Sequence, residues 1–347
     1  MARGAERTLT QRELNRALLA RQMLLERAAV RVPRALERMA GLQAQYAPAM
    51  YIGLCSRLAS FERGDLDDLL ERRRVVQGTL LRSTIHLVSR RDYWPFAVGV
   101  RRTRRAWFLR TRKDATAHEM AELAAKLRAA LADGPMRRTE IEKLLGPRRI
   151  EGIGLWLELV RVPPSGTWER RRADLYDLAE QWVGPPTASE EEAIDLLVRR
   201  YLGGFGPATR GEIADWAGLP VTTVARALTR MSLRRFRAED GADLVDLPRA
   251  PLPDGDAPAS VRFLAVWDAM LLVHARRTGI LPEAYRSRIF NSRTPHSFNT
   301  FLVDGSVAGT WRYEGGHIRL EEFAPQPASV RRQLAEEADR LAALHAA

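Results

Sequence analysis

The apolar and polar positions along the chain predict short helices that are followed twice by a β-hairpin. Residues 116–186 carry three segments with apolar residues at helical spacing, and a hairpin with a Pro- and Gly-containing turn comes next. Residues 187–247 repeat this order and end in a wing whose two-residue turn is Asp240 and Gly241. Three helices followed by a hairpin are the order of a winged helix. The pattern therefore predicts two winged helices in tandem.

The first 115 residues predict a related, winged-helix-like unit. A capping box of Thr10 and Glu13 opens one helix, and Pro33 begins a second helix that stops at Gly41. The later stretch LRSTIHLV is β-branched and bounded by polar residues, which predicts a strand. One face of that strand is expected to carry Arg82, Thr84, His86 and Val88.

The C-terminal part of the sequence divides into a linker and a mixed region. Residues 248–260 are rich in proline and predict the linker. In residues 261–347, Asp304 and Gly305 join two apolar stretches into a hairpin, and a final helix covers about 328–346. The whole pattern predicts an α+β fold that is mainly α, with tandem winged-helix (helix-turn-helix) motifs and a C-terminal α/β region.

The composition adds a strong positive charge. The formal net charge is +12, and of 55 basic residues only Lys113, Lys126 and Lys143 are lysines. Arginine binds phosphate bidentately and reads guanine edges, although high genomic GC content explains the same bias. A basic protein with helix-turn-helix motifs favours double-stranded DNA as its partner, because phosphate neutralisation supplies most nonspecific affinity. Winged helices also serve as protein-interaction modules, and that alternative stays open.

Other classes of site find no support in the sequence. Cys55 is the single cysteine, which excludes an intramolecular disulfide and a CxxC zinc site, and the six histidines lack metal-ligand spacing. We therefore expect no metal and no cofactor. The N-terminus lacks the apolar segment of a signal peptide, and no run of about 18 apolar residues occurs. We expect a monomeric cytoplasmic protein that does not contact membranes.

Two glutamines, Gln43 and Gln45, stand two positions apart just after Gly41. On a helix they would point about 200° from one another, but in an extended segment they share a face and can act on one point. A buried glutamine must find hydrogen-bond partners, so such a pair needs a polar lining, a backbone target or a water molecule. The alternative is that both glutamines cap backbone groups or are simply exposed.

Four stretches occur in the same order as in the AlkZ-like and YcaQ-like DNA glycosylases, which this sequence resembles over essentially its whole length. They are GLQAQYAPA, LLRSTIHLVSRRDYWPF, YLGGFGPATRGEIADWAGL and FLVDGSVAGTWR. The resemblance implies winged helices in a C-shaped DNA-binding body that excises alkylated bases, including azinomycin crosslinks. Gln43, Ala44 and Gln45 match the family's Gln-apolar-Gln signature, so the resemblance implies that both glutamines are catalytic. Ser83 stands where the family's strand motif has glycine.

The remaining candidates are assigned to DNA binding or to support of the site. The hairpin at residues 298–312 is similar to one that the family presents to the DNA minor groove, although an ordinary core hairpin is the alternative. His86 is expected to contact phosphate, to orient the site or to be structural, and Asp268 to support the site or to cap a helix. The full set is Arg82, Thr84, His86, Asp268, Arg276, Arg277, Asp304, Gly305 and Ser306.

The chemistry of a carboxamide pair fits one kind of glycosylase. Glutamine has no pKa near neutrality, so it can position water but cannot act as a general base. That suffices for N7-alkylguanine, whose positive charge already activates the base as a leaving group. No lysine lies in a recognised motif, and this predicts a monofunctional enzyme that leaves an abasic site in duplex DNA.

We expect excision of bulky or crosslinking adducts in self-resistance to a genotoxic natural product, with the extent of base flipping left open. The alternative is a non-catalytic winged-helix protein, either a regulator or a lesion shield. A hydrolase with paired acids has the weakest support, because no carboxylate pair lies beside the glutamines in the sequence.

Overall fold

The computed structural model describes residues 4–272, 279–290 and 297–347. Within these ranges the helices are α1 (Gln11–Arg21), α2 (Val32–Met39), α3 (Ala47–Arg57), α4 (Arg63–Glu71), α5 (Arg90–Thr111), α6 (Ala117–Ala130), α7 (Arg138–Leu145), α8 (Ile150–Ile153), α9 (Ala179–Val183), α10 (Glu190–Phe205), α11 (Arg210–Ala217), α12 (Val221–Thr229), α13 (Arg286–Ile289) and α14 (Ala328–Ala346). The strands are β1 (Thr8–Leu9), β2 (Leu42–Gln43), β3 (Val75–Thr79), β4 (Ile85–Ser89), β5 (Met136–Arg137), β6 (Leu159–Arg161), β7 (Leu175–Leu178), β8 (Arg234–Ala238), β9 (Asp243–Asp246), β10 (Arg262–Leu264), β11 (Thr300–Val303), β12 (Ser306–Glu314) and β13 (His317–Glu322). The fold is α+β and mainly α, as predicted.

An antiparallel six-stranded sheet joins the first two predicted units. Its strand order is β2-β4-β3-β6-β7-β5. Three of these strands come from the N-terminal region and three from the middle unit, whose helices α6 to α8 precede the wing strands β6 and β7. The two halves meet where Gln77 of β3 pairs with Arg161 of β6 and Gly78 pairs with Val160. The boundary predicted near residue 115 therefore separates the helices of the two units, whereas their strands form one continuous sheet.

The downstream unit has the predicted order of three helices and a wing. Helices α10, α11 and α12 lead into β8 and β9, and Gly241 takes a positive φ of 85° in the wing turn. The predicted cap is present, because Ser189 accepts a hydrogen bond from the Glu192 backbone N–H. Tyr201 and Phe205 of α10 stack at 5.2 Å, and Trp216 of α11 lies 5.4 Å from Tyr201. This aromatic cluster holds the helix-turn-helix together.

The predicted linker and the C-terminal region are both packed against the rest of the protein. In the linker, the Ala257 carbonyl accepts a hydrogen bond from Arg16 Nε of α1 at 2.6 Å. Strands β10 to β13 form an antiparallel sheet. Phe301 of β11 and Leu341 of α14 share an apolar core with Leu36 of α2 and Ile52 of α3. The C-terminal region therefore shares the core under the N-terminal helices.

The strand predicted around His86 is shorter than expected. A 3-10 turn covers Leu81–Ser83, and the strand β4 begins only at Ile85. Arg82 and Ser83 both take left-handed conformations, with φ of 49° and 60°. The Leu81 carbonyl accepts hydrogen bonds from the backbone N–H and the hydroxyl of Thr84, which closes the turn. The prediction that Arg82 shares a strand face with His86 is therefore wrong. Thr84 is extended and its hydroxyl lies 3.4 Å from His86 Nδ1, as a common face predicts.

Substitution of Ser83 tests whether this turn is strained. A residue with a β-carbon in the left-handed conformation destabilises the folded state by about 1–2 kcal/mol. Glycine removes this strain, but part of the gain is lost because glycine increases the conformational entropy of the unfolded chain. We expect Ser83→Gly to raise the free energy of unfolding by about 0.5–1 kcal/mol in urea denaturation. Ser83→Ala keeps the β-carbon and should bring no gain. An equal gain from alanine would show that backbone strain is not the cause.

Candidate active site

The two glutamines lie at the end of β2, the edge strand of the six-stranded sheet. Strand β2 pairs antiparallel with β4, with Gln43 opposite His86, and the Ala44 N–H donates to the Ile85 carbonyl at 2.7 Å. Ala44 is buried among apolar side chains, whereas Gln43 is half-buried and Gln45 is exposed. Strand β2 ends at Gln43, and the chain bends at Gln45. The extended backbone predicted after Gly41 is therefore confirmed as far as Gln43, and a common face for both glutamines remains a prediction.

Gln45 completes the hydrogen bonding of the strand pair. Its Oε1 accepts a hydrogen bond from the Ile85 N–H at 2.6 Å, where a backbone carbonyl would accept if β2 continued. This contact fixes the amide plane and leaves the Gln45 NH₂ without a partner among the described residues. The Gln43 amide likewise makes no hydrogen bond within the described part of the chain. The alternative that the glutamines cap backbone groups is therefore confirmed for the Oε1 of Gln45, and the described residues show no such contact for Gln43.

Gln45 lines a cavity of about 620 Å³ between α5, the helices α7 and α8, and the wing strands β6 and β7. Gln43 is not among the described residues that line this cavity. Its wall is strongly basic. Five arginines contribute to it, namely Arg101, Arg104, Arg138, Arg161 and Arg172.

Two carboxylates, Glu158 and Asp174, line the same cavity. Glu158 pairs with Arg101 at 2.5 Å, and Asp174 pairs with Arg172 at 3.2 Å. Gln45 and these two acids are more than a hundred positions apart in the sequence, and the fold brings them to one cavity. Both acids are held in ion pairs.

His86 is buried next to the glutamine segment. It is 3% exposed, and its Nδ1 donates to the Thr84 carbonyl at 3.1 Å. Burial, followed by the charge of Arg82, lowers the pKa of His86 to about 3. The imidazole is therefore neutral, and its burial keeps it away from phosphate. Support of the site remains as its predicted role.

Arg82 and Thr84 organise the turn that precedes β4. The Arg82 guanidinium donates to the Trp216 carbonyl near the C-terminus of α11, which ties the sheet edge to the helix-turn-helix. Burial lowers the pKa of Arg82. The Thr84 hydroxyl donates to the Leu81 carbonyl at 3.0 Å. Both side chains are engaged within the protein, so their predicted part in the site stays one of support.

Asp268 forms a buried ion pair. Both of its oxygens accept hydrogen bonds from the Arg57 guanidinium at 2.9 Å, and Asp268 is 6% exposed. It also caps the 3-10 helix Ala269–Leu271 by accepting from the Met270 N–H at 3.1 Å. The capping alternative is therefore confirmed, with a buried salt bridge that the sequence did not indicate.

The hairpin turn at Asp304 and Gly305 forms as predicted but packs inward. Gly305 is buried, and its carbonyl accepts a hydrogen bond from Asn15 of α1 at 2.9 Å. Arg12 and Arg16 of α1 bind the Asp304 carboxylate. Ser306 is half-buried, and the Asp304 side chain keeps 52% of its surface exposed, so a DNA contact of this turn remains a prediction. Arg276 and Arg277 lie outside the described residues.

The arginines of the cavity were not singled out from the sequence. Arg104 is only 8% exposed, although it belongs to an arginine-rich run at residues 101–105. A helical periodicity marks this face, since Tyr93, Ala97, Arg101 and Arg104 recur at spacings of four, four and three. That periodicity is the signal that could have identified them.

None of the helices that the structure describes has the length and apolar character that a membrane crossing requires. Among the described residues, no cluster of three or more His, Cys, Asp or Glu side chains could hold a metal ion.

Comparison with known proteins identifies similar sequences and folds. The family model described as DNA glycosylase AlkZ-like matches residues 36–344. Among solved structures, the fold is similar to that of Streptomyces sahachiroi DNA glycosylase AlkZ, with a TM-score of 0.81, 17% sequence identity and 97% of each chain covered. A search of curated proteins finds no match.

Removal of one partner tests the structural role of Asp268. Asp268→Ala leaves the Arg57 charge buried alone, which should lower the free energy of unfolding by about 3–5 kcal/mol in urea denaturation. The paired replacement Arg57→Met with Asp268→Leu leaves no buried charge and should recover most of that loss. A cost below about 1 kcal/mol for Asp268→Ala would assign the side chain a role other than this ion pair.

Proposed function

The chain belongs to the AlkZ-like DNA glycosylase family, and we propose that it removes N7-alkylguanine adducts from duplex DNA by attack of water on the glycosidic bond. As a DNA glycosylase it acts on DNA. The lesion, the mechanism and the catalytic residues are the parts that we propose. Gln43 and Gln45 are proposed to orient the water molecule.

One observation carries this proposal. Gln43 ends the edge strand β2 opposite His86, and two residues later the contact with the Ile85 N–H holds Gln45 in a fixed orientation. Neither the NH₂ of Gln45 nor the amide of Gln43 has a partner among the described residues, so both offer hydrogen-bonding groups to a water molecule without any change of charge. Preorganised dipoles of this kind stabilise charge that develops in a transition state.

Hydrolysis of the glycosidic bond of an N7-alkylguanine needs no strong general base. The bond between C1′ and N9 breaks, and its electron pair neutralises the positive charge of the alkylated guanine. Water then forms the new bond to C1′ and releases its proton to solvent, which gives an abasic site and a neutral alkylguanine. The charge on the damaged base supplies the activation, so unmodified guanine is left in place.

The proposed enzyme is monofunctional. A lyase step requires an amine that attacks C1′, and none of the three lysines is among the described residues that line the cavity. Lys126, for example, donates to the Leu144 carbonyl at 3.1 Å.

An open site suits a bulky or crosslinked lesion. Gln45 is exposed, and the neighbouring Tyr46 is 41% exposed. We propose a role in self-resistance to a genotoxic natural product, by the resemblance of the sequence to the AlkZ-like branch. We also propose that the protein acts in the cytoplasm as a monomer.

The glutamines are tested with DNA that carries one N7-alkylguanine. Excision is measured under single turnover, as strand cleavage by alkali at abasic sites. Because each amide orients the nucleophile, we expect Gln43→Ala and Gln45→Ala to lower the rate constant by about 10- to 1000-fold. Gln333→Ala, which removes an exposed glutamine from α14, should match the wild type.

Glu158→Gln separates this mechanism from one with a carboxylate base. The substitution keeps the shape of the side chain and one oxygen that can accept from Arg101 but removes the charge, and we expect at least a tenth of the wild-type rate. Loss of excision in Glu158→Gln, together with full rates in both glutamine variants, would transfer the water-activating role to Glu158.

A further inference from the structure

Two of the cavity arginines differ from the other three. Arg101, Arg138 and Arg172 each have a carboxylate partner, at 2.5, 2.8 and 3.2 Å. Arg104 and Arg161 form no ion pair with any described carboxylate, and they are also the most buried, at 8% and 7% exposure. Uncompensated charge is therefore concentrated at these two side chains.

Both guanidiniums also carry buried N–H groups that have no hydrogen-bond acceptor within 3.5 Å among the described residues. These groups are Nε of Arg104 and both Nε and Nη1 of Arg161. A buried cation with unsatisfied donors is costly unless an anion or another acceptor approaches it. Burial lowers the pKa of Arg104 to about 10, so it remains charged at neutral pH.

The two side chains are held in place by the same residue. Arg104 donates to the Thr79 carbonyl and Arg161 to the Thr79 hydroxyl, each at 3.0 Å. The Tyr176 ring supports Arg161, with its centroid 5.2 Å from the guanidinium carbon. Preorganised guanidiniums are well suited to bind phosphate, because little side-chain entropy remains to be lost.

This pair is connected to the glutamine segment through the sheet. Thr79 of β3 lies opposite Ile85 of β4, and the Ile85 N–H binds Gln45. Gln45 lines the same cavity as Arg104 and Arg161. A ligand of these arginines would therefore lie close to the proposed point of water attack.

We propose that Arg104 and Arg161 bind one backbone phosphodiester of the damaged strand, next to the lesion. This assignment rests on the proposed glycosylase function. A cationic alkylguanine would be repelled by the same charges, so the cavity takes the phosphate and the damaged base stays outside it. The pair thereby fixes the position of the deoxyribose relative to Gln45.

Neutral phosphate analogues test the site with wild-type protein. Single methylphosphonates are placed in turn at each position around a tetrahydrofuran abasic analogue in a duplex. One position near the analogue should weaken binding about tenfold, because it removes the charge that the two arginines bind. Equal affinity at all positions would overturn the proposal, whatever the stability of any variant.

Substitution of the arginines then identifies the partner. In Arg104→Gln and Arg161→Gln, the methylphosphonate at the sensitive position should bring no further loss, and the slope of log affinity against log salt should fall by about 1. Arg262→Gln is the matched control, because Arg262 is 5% exposed with an unpartnered Nε but does not line the cavity. It should keep both the wild-type slope and the sensitivity. If the methylphosphonate weakens binding by the same factor in the two cavity variants as in the wild type, the assignment is contradicted.

A last arm separates DNA from free phosphate as the ligand. Thermal unfolding is followed with inorganic phosphate against chloride at equal ionic strength. Stabilisation by phosphate that Arg161→Gln abolishes, without a sensitive methylphosphonate position, would show a site for free phosphate and overturn the DNA assignment. These binding measurements need no excision. A protein that binds as proposed but removes no alkylguanine would therefore refute the proposed function alone.

Discussion

One backbone group sets the geometry of the site, namely the N–H of Ile85 where the edge strand β2 ends. An unpaired N–H at a strand edge needs an acceptor, and the Gln45 carbonyl oxygen provides it at 2.6 Å. The same bond prevents rotation of the amide and turns its NH₂ outward. The site thus depends on Gln45, whose side-chain oxygen completes the hydrogen bonding of the sheet while its NH₂ group stays available.

Charge is distributed around this segment in a way that suits a cationic lesion. The glutamines are neutral, and His86 beneath them is kept neutral by burial. In the cavity wall, Arg101, Arg138 and Arg172 are paired with carboxylates, whereas Arg104 and Arg161 form no ion pair with a described carboxylate. In the proposed arrangement the neutral amides do not repel a cationic base, and the arginine pair binds the phosphate that accompanies it. The proposed sites for base and phosphate are therefore separate.

Local patterns predicted the local structure well. The extended segment after Gly41, the wing turn at Asp240 and Gly241, and the hairpin turn at Asp304 and Gly305 each depend on neighbouring residues, which a sequence displays directly. The left-handed pair of Arg82 and Ser83 was missed, because residues with β-carbons rarely adopt that conformation.

Contacts between distant residues could not be read from the sequence. Arg57 and Asp268 are 211 positions apart, and Arg16 binds Asp304 across 288 positions. Such pairs are decided by how the sheets and helices pack, so the inward orientation of the hairpin stayed hidden. The carboxylates of the cavity escaped notice for the same reason.

The most direct test of the neutral-amide mechanism is the pH dependence of single-turnover excision. A glutamine pair has no proton to gain or lose, and His86 titrates only near its pKa of about 3, so the rate constant should be flat between about pH 5.5 and 8.5. A rate constant that rises with pH to a plateau, and loses that rise in Glu158→Gln, would contradict the account.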